Sequence, residues 1–109
     1  MLLPGGGDVQ IEDRKVRGYL LSRTHPVGRF KARVFASAGF TDGTVDAFLS
    51  EIRRLAASGE VSRIEDTPFG RKYTVPGTLI GPVGVIRVVT VWLEEPVRAG
   101  VRLVTVQPR

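Results

Sequence analysis

The stretch RTHPVGRFKAR, Arg23 to Arg33, holds the only histidine of the chain, His25, among four cationic side chains: Arg23, Arg29, Lys31 and Arg33. An unperturbed imidazole titrates at about pH 6.5, so His25 can give or take a proton near neutrality. Guanidinium and ammonium groups beside it suit the binding of phosphate. Pro26 pushes the backbone of His25 toward an extended conformation. This places the imidazole in a loop entering a helix, where a scaffold edge can present it. The structural alternative is a cap-like residue with its ring in solvent. Arg29 and Arg33 are four apart and share a helix face. Like charges on one face repel, and a visiting anion relieves the repulsion. Lys31 lies near the helix start, where backbone N–H groups also favour an anion. The alternative is a solvated face with snorkelling stems.

Two segments near the C-terminus carry further polar groups. TVW places Thr90 and Trp92 on one face of a strand, and RLVT places Arg102 and Thr105 on opposite faces of another. A sheet face with threonine, arginine and an aromatic ring can hold phosphate and stack a base. The competing role is structural, with Trp92 in the core and the threonines as ordinary strand formers. GRKYTV adds Lys72 and Tyr73 on a hairpin, as phosphate-orienting groups or as charges that guard an edge strand.

These residues need elements to position them. EDRKVRGYLLS puts Val16, Tyr19 and Leu20 on one helix face, with Glu12 and Asp13 at its start. PVGRFKARVFASAG aligns Phe30, Val34, Phe35 and Ala38, with Pro26 in the first turn and Gly39 at the C-terminal cap. TVDAFLSEIRRLAASG aligns Val45, Phe48, Leu49, Ile52, Leu55 and Ala56, with Thr44 as N-cap and Gly59 as the stop. The second half changes to β-formers punctuated by Gly and Pro. EVSRIED and GRKYTV read as a hairpin across TPFG, and GTLIGPVG reads as turns. GVIRVVTVWLEE reads as a long strand with Val85, Val88 or Val89, Val91 and Leu93 toward the core. VRLVTVQP closes the chain. The expected fold is α+β: two or three N-terminal helices on one face of a roughly four-stranded antiparallel sheet. Residues 1–10, with LPGGG, read as a flexible leader, and residues 11–109 as a single domain.

The bulk properties narrow the chemistry. The 109 residues are 42% hydrophobic, enough for one core, and the net charge of +5 favours an anionic partner. The absence of cysteine excludes disulfides, thiolate catalysis and cysteine zinc sites. One histidine is too few for a histidine metal cluster, so no cofactor is expected. No apolar run approaches the roughly 20 residues of a membrane span, and a cytoplasmic location is expected.

Taken together, YLLSRTHPVGRFKARVFASAGF, FGRKYTVPGTLIGPVG, VVTVWL and RLVTVQP resemble an uncharacterised family of small bacterial domains. Its pattern runs YLL, HPxG with a following KA, GF, a KY hairpin, a GPxG turn, a TVW strand and a closing RLVT strand. The resemblance spans about Lys15 to Pro108; the leader and third helix match only in pattern. It implies a toxin-like module with a small partner protein, similar to the barnase/EndoU/RelE-like ribonucleases, which use no metal. The matching polar positions are His25, Lys31, Lys72, Tyr73, Thr90, Arg102 and Thr105, and Arg29 falls where that family often has a basic or small residue. The resemblance thus implies RNA cleavage by His25, Lys31, Tyr73, Thr90, Arg102 and Thr105. Arg23, Arg29, Arg33 and Lys72 would bind RNA phosphates, and an acidic antitoxin or immunity protein would be the partner. The other expectations are a non-enzymatic RNA- or protein-binding module and, less in keeping with the basic charge, an immunity-like partner.

Overall fold

The computed structural model describes residues 1–5, 8–21 and 28–109. Strand β1 (Val9–Gln10) leads into a helical turn, α1 (Asp13–Lys15), which continues as a π-helical turn over Val16–Leu20. Helix α2 (Gly28–Ser37), a 3-10 turn (Asp42–Thr44) and helix α3 (Val45–Ser58) follow. Strands β2 (Arg63–Thr67), β3 (Gly70–Ile80), β4 (Val85–Glu94) and β5 (Val101–Pro108) complete the chain. Among the described residues the sheet has five strands in the order β1-β5-β4-β3-β2. Four form the expected antiparallel meander, and β1 adds a short parallel edge beside β5. The sheet is therefore mixed, with one strand more than the sequence suggests.

The extra strand comes from the segment read as a leader. Val9 pairs with Val101 and Gln10 with Arg102. Leu3 and Val9 are buried, and the Met1 carbonyl accepts a hydrogen bond from the Val61 N–H at 2.8 Å. Two strand residues are too few to show an alternating pattern.

Alternation in β3 and β4 decides which residues meet the helices. Tyr73, Val75 and Leu79 of β3 point to the core, in register with Trp92, Thr90 and Ile86 of β4. The helix-facing set of β4 is thus Ile86, Val88, Thr90 and Trp92; of the residues read toward this core only Val88 belongs to it, while Val85, Val91 and Leu93 have the other parity. Val85 is exposed, Val89 and Val91 are half-buried, and Leu93 is buried on the opposite face. The run is apolar at both parities, so period-two reasoning has no contrast to work with. GTLI likewise continues β3 rather than turning. Pro76 is tolerated there because β2 pairs β3 only as far as Thr74, leaving no partner for its missing N–H.

The third helix is as read: Val45, Phe48, Ile52, Leu55 and Ala56 are buried and Leu49 packs beside them. Thr44 is its N-cap residue, as read, but the Thr44 side chain makes no capping bond to the helix. Thr41 and Thr44 form a reciprocal capping box, with the Thr41 N–H donating to Thr44 Oγ1 at 2.8 Å. Arg53 donates to the Val9 carbonyl at 2.9 Å and Arg54 to the Thr78 carbonyl at 2.8 Å, which fastens α3 across the sheet. Glu51 completes this clamp, accepting from the Ile80 N–H at 2.6 Å. Burial pushes its carboxyl up, but the hydrogen bonds from Arg54 and Ile80 outweigh that and hold it below the usual value.

The first and second helices depart from the expected geometry. Val16 is buried as expected, while the side chains of Tyr19 and Leu20 lie outside the described set. The π-turn is closed by the Leu21 N–H on the Val16 carbonyl at 2.9 Å, and Gly18, a poor α-helix former, sits inside it. The buried residues are Ala32 and Phe35 of α2 and Ala38 just after it, and Phe30 and Val34 are exposed. The apolar residues of this segment cover two faces, and the sequence pattern alone selected the wider one. Lys31 shares the inward side.

Candidate functional site

β1 covers only the first two residues of β5. Beyond them no further strand among the described residues pairs with this edge of β5, and its backbone needs other partners. Lys15 of α1 supplies one, donating to the Val104 carbonyl at 2.8 Å. At the same point β5 carries a β-bulge. Val91 of β4 faces Thr105, while Trp92 faces Leu103, so Val104 is the extra residue. Lys31 of α2 reaches this bulge as well, donating to Thr105 Oγ1 at 3.0 Å. Two ammonium groups from different helical segments therefore converge on successive residues of one bulge. A groove of about 500 Å³ opens beside them, lined by Glu12, Arg14, Lys15, Gly18, Val104 and Thr105. Lys31 and Thr105, both expected catalytic residues, are joined by this hydrogen bond. The arrangement can hold an anion, with Thr105 Oγ1 as a positioned polar contact.

Other expected site residues occupy different places. Thr90 is fully buried. Its hydroxyl donates to the Val75 carbonyl and accepts from Trp92 Nε1–H, both at 2.8 Å. Donor and acceptor are both committed inside the core, so Thr90 does not orient a phosphate. Tyr73 is buried on the same face, and its hydroxyl donates to Glu94 Oε1 at 2.9 Å. Burial, and then the bond to Glu94, push its pKa up. A buried phenol held by a carboxylate is not placed to exchange a proton with a substrate. Trp92 is core, as the structural reading of the strand allowed.

Arg102 and Lys72 lie on the sheet face away from the helices, on either side of Leu93 in the cross-strand register. They line a second depression of about 510 Å³ with Phe69, Leu93, Glu95 and Val104. Val104 borders both depressions. Arg102 is ion-paired with Glu95. That bond holds the Glu95 carboxyl below the usual range, so the guanidinium is compensated at neutral pH. Lys72 approaches Glu65 at 3.8 Å. Arg29 and Arg33 are exposed on α2, with guanidinium carbons 4.9 and 6.0 Å from the ring centroid of Phe30. Arg23, His25 and Pro26 lie outside the described residues. Sequence reasoning passed over Lys15, whose partner is 89 residues away along the chain, and assigned Phe30 to the core. Among the described residues no cluster of His, Asp and Glu suited to a metal is found, and no helix is long and apolar enough to cross a membrane.

The family model described as a domain of unknown function, DUF6883, matches residues 2–109. The chain belongs to that family. No curated protein matches this DUF6883 domain. Among solved structures, the domain is similar to a chain of a contact-dependent growth inhibition toxin–immunity protein complex from Klebsiella pneumoniae 342. The TM-score is 0.71 at 16% identity, over 91% of this chain and 98% of that chain. At such identity the likeness shows a shared fold. The family match meets the resemblance to an uncharacterised domain family, and the structural neighbour bears on the fold alone.

Proposed function

We propose that this DUF6883 domain is the effector of a toxin–immunity system and cleaves RNA without a metal. The observation that carries the reading is the convergence of Lys15 and Lys31 on the β5 bulge, at the groove beside Thr105. The fold shared with a chain of a toxin–immunity complex supports it, as does the net charge of +5. Two residues, Pro26 and Val27, separate His25 from Gly28, the first residue of α2, and Lys31 stands three residues further on. In this reading His25 removes the proton of a ribose 2′-OH. The 2′-oxygen then attacks phosphorus, the bond to the 5′-oxygen breaks, and a 2′,3′-cyclic phosphate forms. The proton needed by the leaving 5′-oxygen comes from solvent or from Lys31. Lys31 and Lys15 stabilise the charge that builds on the phosphate, and Thr105 orients it. Arg23, Arg29 and Arg33 hold flanking phosphates, and Lys72 and Arg102 border a more distal path across the sheet. The reaction takes place in the cytoplasm, where RNA is found, and an acidic immunity protein covers the basic groove.

A second reading, a non-enzymatic RNA- or protein-binding module, is favoured by the burial of Tyr73 and Thr90, which leaves few proton-transfer groups. One assay separates the two: purified protein, transfer RNA and bulk RNA, with excess chelator. Under the nuclease reading wild type cleaves. His25→Ala and Lys31→Met each then lose about a hundredfold or more in rate at unchanged melting temperature. Well-folded wild type that forms no product overturns the nuclease reading and leaves the binding module.

A further inference from the structure

Phe30 is an aromatic residue with no place in the core. It is 57% exposed on the outer side of α2, and Val34, one turn on, is 42% exposed. Arg29 and Arg33 flank the ring, their guanidinium carbons at 4.9 and 6.0 Å from its centroid. The two arginines are i and i+4 on one helix, so their charges repel. Among the described residues neither is ion-paired to a carboxylate. The ring attracts both through its π-face. The result is a small platform of one ring between two uncompensated cations, one residue from Lys31, which turns inward to the bulge.

We propose that Phe30 stacks an unpaired base of a single-stranded RNA whose flanking phosphates are held by Arg29 and Arg33. This deepens the RNA reading above and rests on it. The chemistry selects the ligand. A carboxylate-rich peptide would satisfy the two guanidinium groups and leave the ring in water. A nucleotide supplies both parts, a π-face for the ring and an anion on either side of it. Stacking of this kind accepts any base, because every base has a face. It rejects a duplex, whose bases are already stacked on one another.

The test uses the His25→Ala protein, so that the probe survives, and fluorescence anisotropy with two short oligoribonucleotides of equal length. One is oligouridylate and the other has the same backbone without bases. The expected result is that Phe30→Ala weakens oligouridylate binding by about tenfold or more and leaves the abasic probe unchanged. Phe30→Trp restores the difference. Circular dichroism melting confirms that an exposed position has been changed without loss of fold. Equal weakening of both probes overturns the stacking role, and so does no weakening of either, the pattern expected if Phe30 instead meets a partner protein. If the protein with Phe30 intact binds neither probe, the RNA reading itself fails along with this one.

Discussion

Thr90 shows how a residue type suited to phosphate contacts can be committed elsewhere. Its hydroxyl ties Trp92 Nε1–H to the Val75 carbonyl within the core. Replacing Thr90 by valine keeps the shape and leaves the buried indole N–H without an acceptor, which costs about 1–3 kcal/mol. Thr90→Val should therefore lower the melting temperature clearly and leave RNA binding, measured well below that temperature, unchanged. A loss of binding at full stability would return Thr90 to the site. Thr105 is the opposite case. It is half-buried at the bulge, and its oxygen accepts from Lys31. Two threonines of similar sequence context thus differ because one faces the helices and the other sits where the ladder breaks. Arg102 and Tyr73 show the same dependence on place, since a carboxylate, Glu95 or Glu94, engages each.

At the scale of elements, the position of α2 decides what the site can be, and its C-terminus fixes that position. The Gly39 N–H donates to the Ala36 carbonyl at 2.9 Å and the Phe40 N–H to the Phe35 carbonyl at 3.1 Å, a Schellman turn. Gly39 has φ +93°, and a Cβ there would lie 3.0 Å from the Pro82 ring. Gly39→Ala should destabilise the protein by about 1–3 kcal/mol in denaturant titration. Gly43→Ala is the control: its φ is not positive and an added Cβ would meet only Thr41 Oγ1, at 3.6 Å. It should change stability by no more than about 0.5 kcal/mol. The stop at Gly39, the core face of α3 and the hairpin turn at TPFG were legible in the sequence because each is a local signal. The orientation of α2 was not, since Phe30 and Val34 compete with Ala32 and Phe35 for the core, and the Lys31–Thr105 contact that accompanies the observed choice is 74 residues distant. The parity of β4 was hidden by apolar residues on both faces. Lys31 and Thr105 were legible as candidates, but their meeting depends on a bulge that no short motif announces.

Across the whole molecule, charge is distributed unevenly. Toward the hairpin, Arg71 pairs with Asp66, Lys72 with Glu65 and Arg102 with Glu95. On α2, Arg29 and Arg33 meet no carboxylate among the described residues. The excess that makes the net charge +5 is thus expressed partly on the helical side, next to the groove at the β5 bulge. A polyanion that binds there displaces counterions, and its affinity falls with salt in proportion to the phosphates neutralised, by about 0.7 in log–log slope for each contact to a single strand. Arg33→Gln should therefore reduce the magnitude of that slope by about 0.7 in oligonucleotide titrations from low to moderate salt. Arg71→Gln removes the same formal charge from a compensated pair and should leave the slope unchanged. Equal effects of the two substitutions would mean that RNA responds only to net charge, with no oriented surface on α2. A larger effect of Arg71→Gln would move the binding surface to the hairpin and the depression beside Lys72 and Arg102.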